Sequence, residues 1–215
     1  MTGQTNSFNK RLAFTLAEVL LTLTIIGIIA SYTIPDLIQN IQNQQLKIAW
    51  KKKYSEISQA TNQIIEDRGS MIGIDTTTTD AQALRNLYKG KINTLRDCVF
   101  ADQRGLCWHN NGYWYDYDGV TPLTTGAISI GQSSVLPDGS FLAFHLVSDT
   151  CTYSLGGTGF TDMCGWLYID TNGFKGPNTR GKDIMEIYIF KDRIKPQGVY
   201  GNSSTINKEA ALLLQ

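Results

Sequence analysis

From Phe14 to Ile34 almost every position is apolar, broken by one carboxylate, Glu18, and a few hydroxyls. As a helix rising ~1.5 Å per residue this run reaches ~30 Å, the thickness of a bilayer's hydrocarbon core. Past Pro35 the pattern changes. Leu46, Trp50, Tyr54, Ile57, Thr61 and Ile64 recur at steps of three and four and make one face, while Lys51, Lys52, Lys53 and polar residues occupy much of the rest. The pattern predicts one helix over residues 14–67, apolar in its first half and amphipathic in its second, about 80 Å long if unbroken. Gly27 and Pro35 are expected to weaken or kink it, and Gly69 and Gly73 to end it.

Beyond the helix the period shortens. A brief helix is expected over residues 81–88 with Asp80 as its cap. Alternating stretches at 127–130, 134–136, 140–147, 165–170 and 183–190 then predict strands, with Pro137-Asp138-Gly139 as a tight turn. An antiparallel sheet with one face on the helix would bury the apolar positions. The expected fold is α+β, a long N-terminal helical spine packed against a small antiparallel sheet, with residues 68–215 as the globular head.

Charge sharpens the topology of the apolar run. Lys10 and Arg11 stand just before it, so the N-terminus is expected in the cytoplasm and the C-terminal bulk outside, in a single pass. A secretory signal would be shorter and would end in a small-x-small cleavage site, which is missing here. Over the whole chain 19 basic residues balance 19 acidic ones without a long run of either. Nothing in that balance points to nucleic acid. The four cysteines fall in two local pairs and none forms a C-x-x-C zinc pattern. Two disulfides, Cys98 with Cys107 and Cys151 with Cys164, are the simplest closure, and an exported head supplies the oxidising compartment they need.

Glu18 remains to be explained, because an acid deep in a membrane helix costs ~2.5–3.5 kcal/mol on insertion scales. The stretch "KRLAFTLAEVLLTLTIIGIIASYTIP" resembles the N-terminal signature of type IV pilins and of the pseudopilins of type II secretion. That resemblance implies a leader, residues 1–13, removed by a prepilin peptidase between Ala13 and Phe14, and N-methylation of Phe14. Ala13 stands where the family usually has glycine. Glu18 and Pro35 match the family's glutamate and proline, and the glutamate is implied in pairing with a neighbouring subunit's N-terminal amine during assembly. The sequence equally allows an amine pair within one chain. The implied function is that of a structural subunit without an active site. It would polymerise with like subunits through an inner-membrane platform and its cytoplasmic ATPase, passing from the bacterial inner membrane into a periplasmic or extracellular filament. The competing reading keeps the N-terminus as an uncleaved anchor for a periplasmic enzyme or carbohydrate-binding module.

Other motifs carry weaker chemistry. "GPNTRGKD", residues 176–183, approximates a phosphate loop, but Asp183 replaces the magnesium-binding hydroxyl and a strand pattern follows where a helix is needed. "DTNG", residues 170–173, starts like a calcium loop, with Asp170, Asn172, Asn178 and Asp183 as oxygen donors. Some pseudopilins resemble it in carrying calcium near the C-terminus. Asn-Gly is also a favoured turn that needs no ion. His109 and His145 have no adjoining nucleophile or carboxylate motif. Tyr113, Trp114, Tyr115 and Tyr117 lie among acids, an arrangement that suits packing on the head first and sugar stacking second.

Overall fold

The computed structural model describes residues 14–73, 80–99, 104–124, 132–155 and 160–197. Two helices and seven strands follow in order: α1 (Leu16–Arg68), α2 (Asp80–Lys89), β1 (Arg96–Cys98), β2 (Gln132–Val135), β3 (Phe141–Leu146), β4 (Tyr153–Leu155), β5 (Phe160–Asp170), β6 (Ile184–Phe190) and β7 (Ile194–Pro196). The chain divides into two compact units, Met1–Gln42 and Asn43–Gln215.

The first unit contains the apolar part of α1. It is long and apolar enough to cross a membrane, and that stretch is not buried in the protein. Its hydroxyl side chains turn back onto the helix, as Thr22 Oγ1 does to the Val19 carbonyl at 2.9 Å and Ser31 Oγ to Ile28 at 2.7 Å. Such back-bonding hides a hydroxyl from an apolar surround. The helix continues through Pro35, as the expected single helix requires.

In the second unit the rest of α1 enters a core. Trp50, Ile57, Ala60 and Ile64 join α2 residues Leu84 and Tyr88 and sheet residues Leu142, Phe144, Leu167, Ile187 and Ile189 in one buried cluster. The 3.6-residue period predicts most of this stripe. It misses Lys53, expected among the solvated lysines, which is 4% exposed and pairs with Asp138 at 2.8 Å and Glu56 at 3.1 Å. The lysine therefore ties α1 to the β2–β3 turn. Gly69, at φ 83, stops the helix and its N–H returns to the Ile65 carbonyl at 2.7 Å.

The sheet is antiparallel, in the order β1-β2-β3-β5-β6-β7, with β4 added to β5. Its turn at Pro137-Asp138-Gly139 is closed by the Gly139 N–H on Leu136, with Asp138 Oδ1 accepting from Ser140. The alternation expected of a one-sided sheet does not extend to β6, every residue of which is buried. On the face away from the α1 core, Trp108 and Trp114 cover Ile184 with Phe141, Ala143 and Tyr168, Arg180 pairs with Glu186, and Met163 packs with Tyr188 and Phe190. The strand expected at 127–130 lies outside the described residues.

Both expected disulfides are formed, Cys98–Cys107 and Cys151–Cys164. The first fastens the segment that carries Trp108 to β1, and the second ties the start of the β4 segment to β5. Each closes a loop in the unfolded chain and thereby raises the relative stability of the fold.

Candidate functional site

At the start of α1, Glu18 and Thr15 form a reciprocal cap. Glu18 Oε2 accepts from the Thr15 N–H at 2.8 Å and from Thr15 Oγ1 at 2.9 Å, and Thr15 Oγ1 accepts from the Glu18 N–H at 3.2 Å. This is the capping box T-x-x-E, in which two otherwise unpaired donors of the first turn are satisfied together. The acid thus has a local partner within the chain. Phe14, directly before the box, is 85% exposed. Ala13 and the rest of the expected leader lie outside the described residues.

In the head, the four expected calcium residues fall in one connection, residues 171–183 with its flanking Asp170, between β5 and β6. It is not a two-residue Asn-Gly hairpin. The Thr171 N–H reaches the Asp183 carbonyl at 2.9 Å to close the base of a long loop. Gly173, at φ 66, brings its backbone so near the Gly139 carbonyl that a side chain would collide with it.

The two carboxylates of this loop organise its backbone. Asp170 Oδ1 accepts from the N–H groups of Asn172 at 3.0 Å and Gly173 at 2.8 Å, and its Oδ2 lies 2.6 Å from His109 Nε2. Asp183 accepts the Asn178 N–H at 2.7 Å on Oδ2 and the Thr179 N–H at 2.7 Å on Oδ1. A carboxylate therefore fills the N–H cradle that a phosphate loop would offer to phosphate. The side-chain amides of Asn172 and Asn178 donate to the carbonyls of Gly176 and Tyr113. Their Oδ1 atoms are buried and have no hydrogen-bond partner.

Burial raises the Asp170 carboxyl to about 6 against the attraction of His109, and the neighbouring Asp183 charge adds to the rise. Burial raises Asp183 too, against its backbone donors. Two crowded carboxylates beside two orphaned amide oxygens form a set that suits a hard, oxygen-preferring cation. Among the described residues no three His, Cys, Asp or Glu gather for a metal, so a cation here would draw on amide oxygens. Asp183 takes one N–H group on each oxygen, whereas Asp170 takes two N–H groups and His109 and is the least available of the four. It acts better as the scaffold of the loop, leaving Asn172, Asn178 and Asp183 as donors.

His109 is the residue that sequence reasoning missed. It is 2% exposed and packs edge-on to Trp108, Phe141 and Phe174. Its partner lies 61 positions along the chain, and no local pattern announces so distant a pair. His145 is half-buried and stacks on Trp166 with ring centres 4.3 Å apart.

The aromatic cluster divides as packing requires. Trp114 is buried against Trp108, and Tyr117 bonds to Gln197 beneath the Arg180 guanidinium, 4.5 Å from its ring centre. Arg180 also pairs with Glu186 at 2.8 Å and Asp116 at 3.2 Å. Burial nevertheless raises the Glu186 carboxyl to about 7, more than Arg180 lowers it. Tyr113 is the strongly exposed member of the four. Comparison with known proteins finds no matching family model, no matching curated protein and no matching solved structure.

Proposed function

We propose that this chain is a pilin-like structural subunit. It is trimmed between Ala13 and Phe14, methylated at the new N-terminus, held in the bacterial inner membrane by the first part of α1, and polymerised through that helix into a type IV pilus or type II secretion filament. Its partners in this reading are a prepilin peptidase, an assembly platform with its ATPase, and copies of itself or related subunits. The disulfide-fastened head performs no catalysis.

The observation that carries the reading is α1 itself, Leu16–Arg68. One helix combines an unburied stretch long enough to cross a membrane with a later stretch buried in the core of the head. Glu18 in its first turn supports the same reading. Leader removal would create an amine charge at a helix N-terminus, where the macrodipole disfavours a cation. A carboxylate one turn away offsets it, and the same group of a neighbour serves equally.

Two substitutions test the role of that acid, because the capping box accepts Gln as well as Glu. Glu18→Gln keeps the cap and removes the charge, while Glu18→Ala removes both. Both variants are expected to insert and to lose the leader, yet to be depleted from sheared filaments. Normal incorporation of Glu18→Gln would contradict charge pairing.

Calcium in the Asp170–Asp183 loop belongs to the same proposal, supported by the unpartnered oxygens of Asn172 and Asn178. Bound there, the ion would supply positive charge to Asp183 and join the two halves of the loop.

A further inference from the structure

A groove of about 500 Å³ opens at the β1–β2–β3 side of the head. Val135 and Phe141 line it from within the sheet, and Leu95, Leu106 and Phe174 stand beside them at 70%, 48% and 52% exposure. Apolar side chains so exposed and so close together mark a surface that gains by being covered. Arg96 and Lys175 lie on the same groove, both exposed, with no ion-pair partner among the described residues. Its acid, Asp138, is engaged by Lys53 and Ser140. The groove therefore suits an occupant with an apolar tip next to a negative charge.

The same chain presents such a tip elsewhere on the head. Asp118 accepts the N–H groups of Val120 at 2.9 Å and Thr121 at 2.8 Å, and this holds a tight turn with Val120 76% exposed at its end. The bonds from Thr121 and Val120 keep the Asp118 carboxyl below its usual range, so it stays charged. Tyr117, bonded to Gln197 and covered by Arg180, anchors this turn near β6 and β7. The groove is lined by β1–β3 and by Phe174 and Lys175 of the β5–β6 loop, and within the sheet four strand spacings separate β2 from β7, about 20 Å.

We propose that the groove receives the Asp118–Val120 turn of a second copy of this chain, Val120 entering among Leu95, Leu106 and Phe174 and Asp118 meeting Arg96 and Lys175. The contact joins two different surfaces, and heterologous contacts repeat into open filaments rather than closed pairs. One loop in one groove buries less than the roughly 1,000 Å² that a stable complex needs. The contact accordingly rests on the filament reading above, in which another interaction already holds the copies in register.

The test is disulfide capture between full-length copies in cells that assemble filaments. One copy carries Val120→Cys and the other Phe174→Cys, with different tags, and Asn86→Cys, at an exposed position of α2, replaces Phe174→Cys as the control. A mixed covalent dimer is expected in sheared filaments, well above the Asn86 control. Adding Lys175→Glu to the Phe174→Cys copy is expected to lower its yield about two- to fivefold, the effect of a surface ion pair. Normal filaments whose Val120–Phe174 product does not exceed the control overturn the head contact and leave the filament reading standing. Failure of the unmodified chain to lose its leader or to assemble removes the filament reading and the contact with it.

Discussion

His109 Nε2 lies 2.6 Å from the Asp170 carboxylate, with both side chains buried. The pair joins the Cys107–His109 segment to the end of β5. Asp170 in turn holds two N–H groups of the 171–183 loop, so one histidine helps to order a candidate ion site that it does not line. Removing it leaves a buried carboxylate short of a partner. His109→Ala is expected to destabilise the head by about 1–3 kcal/mol in denaturant unfolding. A change within experimental error would show that the pair contributes nothing.

Lys53 and Asp138 give the head an acid-sensitive joint. The lysine's bonds, with those from Ser140, outweigh desolvation and hold the Asp138 carboxyl down at about 2, below its ordinary 3.8. A lowered carboxylate contributes stability that is present above its unfolded value and lost as pH falls through the folded one. The loss here runs from about pH 4 to about pH 2. Lys53→Met keeps much of the apolar stem and removes the charge. It is expected to cost about 1 kcal/mol, modest because Asp138 is partly exposed, and to flatten unfolding midpoints across that acid window. An unchanged acid limb in the variant would show that the stability comes from elsewhere.

Calcium should act in the opposite pH range. Asp170, raised to about 6, and Asp183, also raised, bind protons more readily when folded. Their protonation therefore stabilises the fold as pH drops toward the unfolded value of 3.8, and that contribution disappears as pH rises through the folded values. An ion competes with those protons. The melting temperature of the full chain in detergent is expected to rise with calcium at pH 7.5, to fall back with chelator, and to respond progressively less as falling pH protonates Asp183, whose carboxyl burial raises. Asn178→Ala should weaken the response. Identical melting with calcium and with chelator at pH 7.5 would dismiss the ion.

Local periodicity made much of the fold legible. The 3.6-residue stripe of Trp50, Ile57 and Ile64 predicted the buried face of α1, and Pro137-Asp138-Gly139 announced the β2–β3 turn. The short strands β1, β4 and β7 were not visible, since three residues carry too little alternation to register. Lys53 was misplaced because its partner, Asp138, is distant in sequence and a charge run reads as solvated. The all-buried β6 follows from covers distant in sequence, Trp108 and Trp114 over Ile184 and Met163 beside Tyr188 and Phe190, which the alternation of β6 itself does not encode. At the candidate sites, residue types and spacing singled out the 170–183 loop. Only the fold distinguishes the engaged oxygens of Asp170 from the unpartnered ones of Asn172 and Asn178. Glu18 stands out in the sequence as a lone acid in an apolar run, and the T-x-x-E spacing encodes its capping box with Thr15.

The most direct measurement is the intact mass and N-terminal sequence of the protein extracted from membranes of cells with an active prepilin peptidase. A chain that begins at N-methylated Phe14 is the predicted result. A chain that retains residues 1–13 under those conditions would contradict the subunit reading and leave an uncleaved anchor in its place.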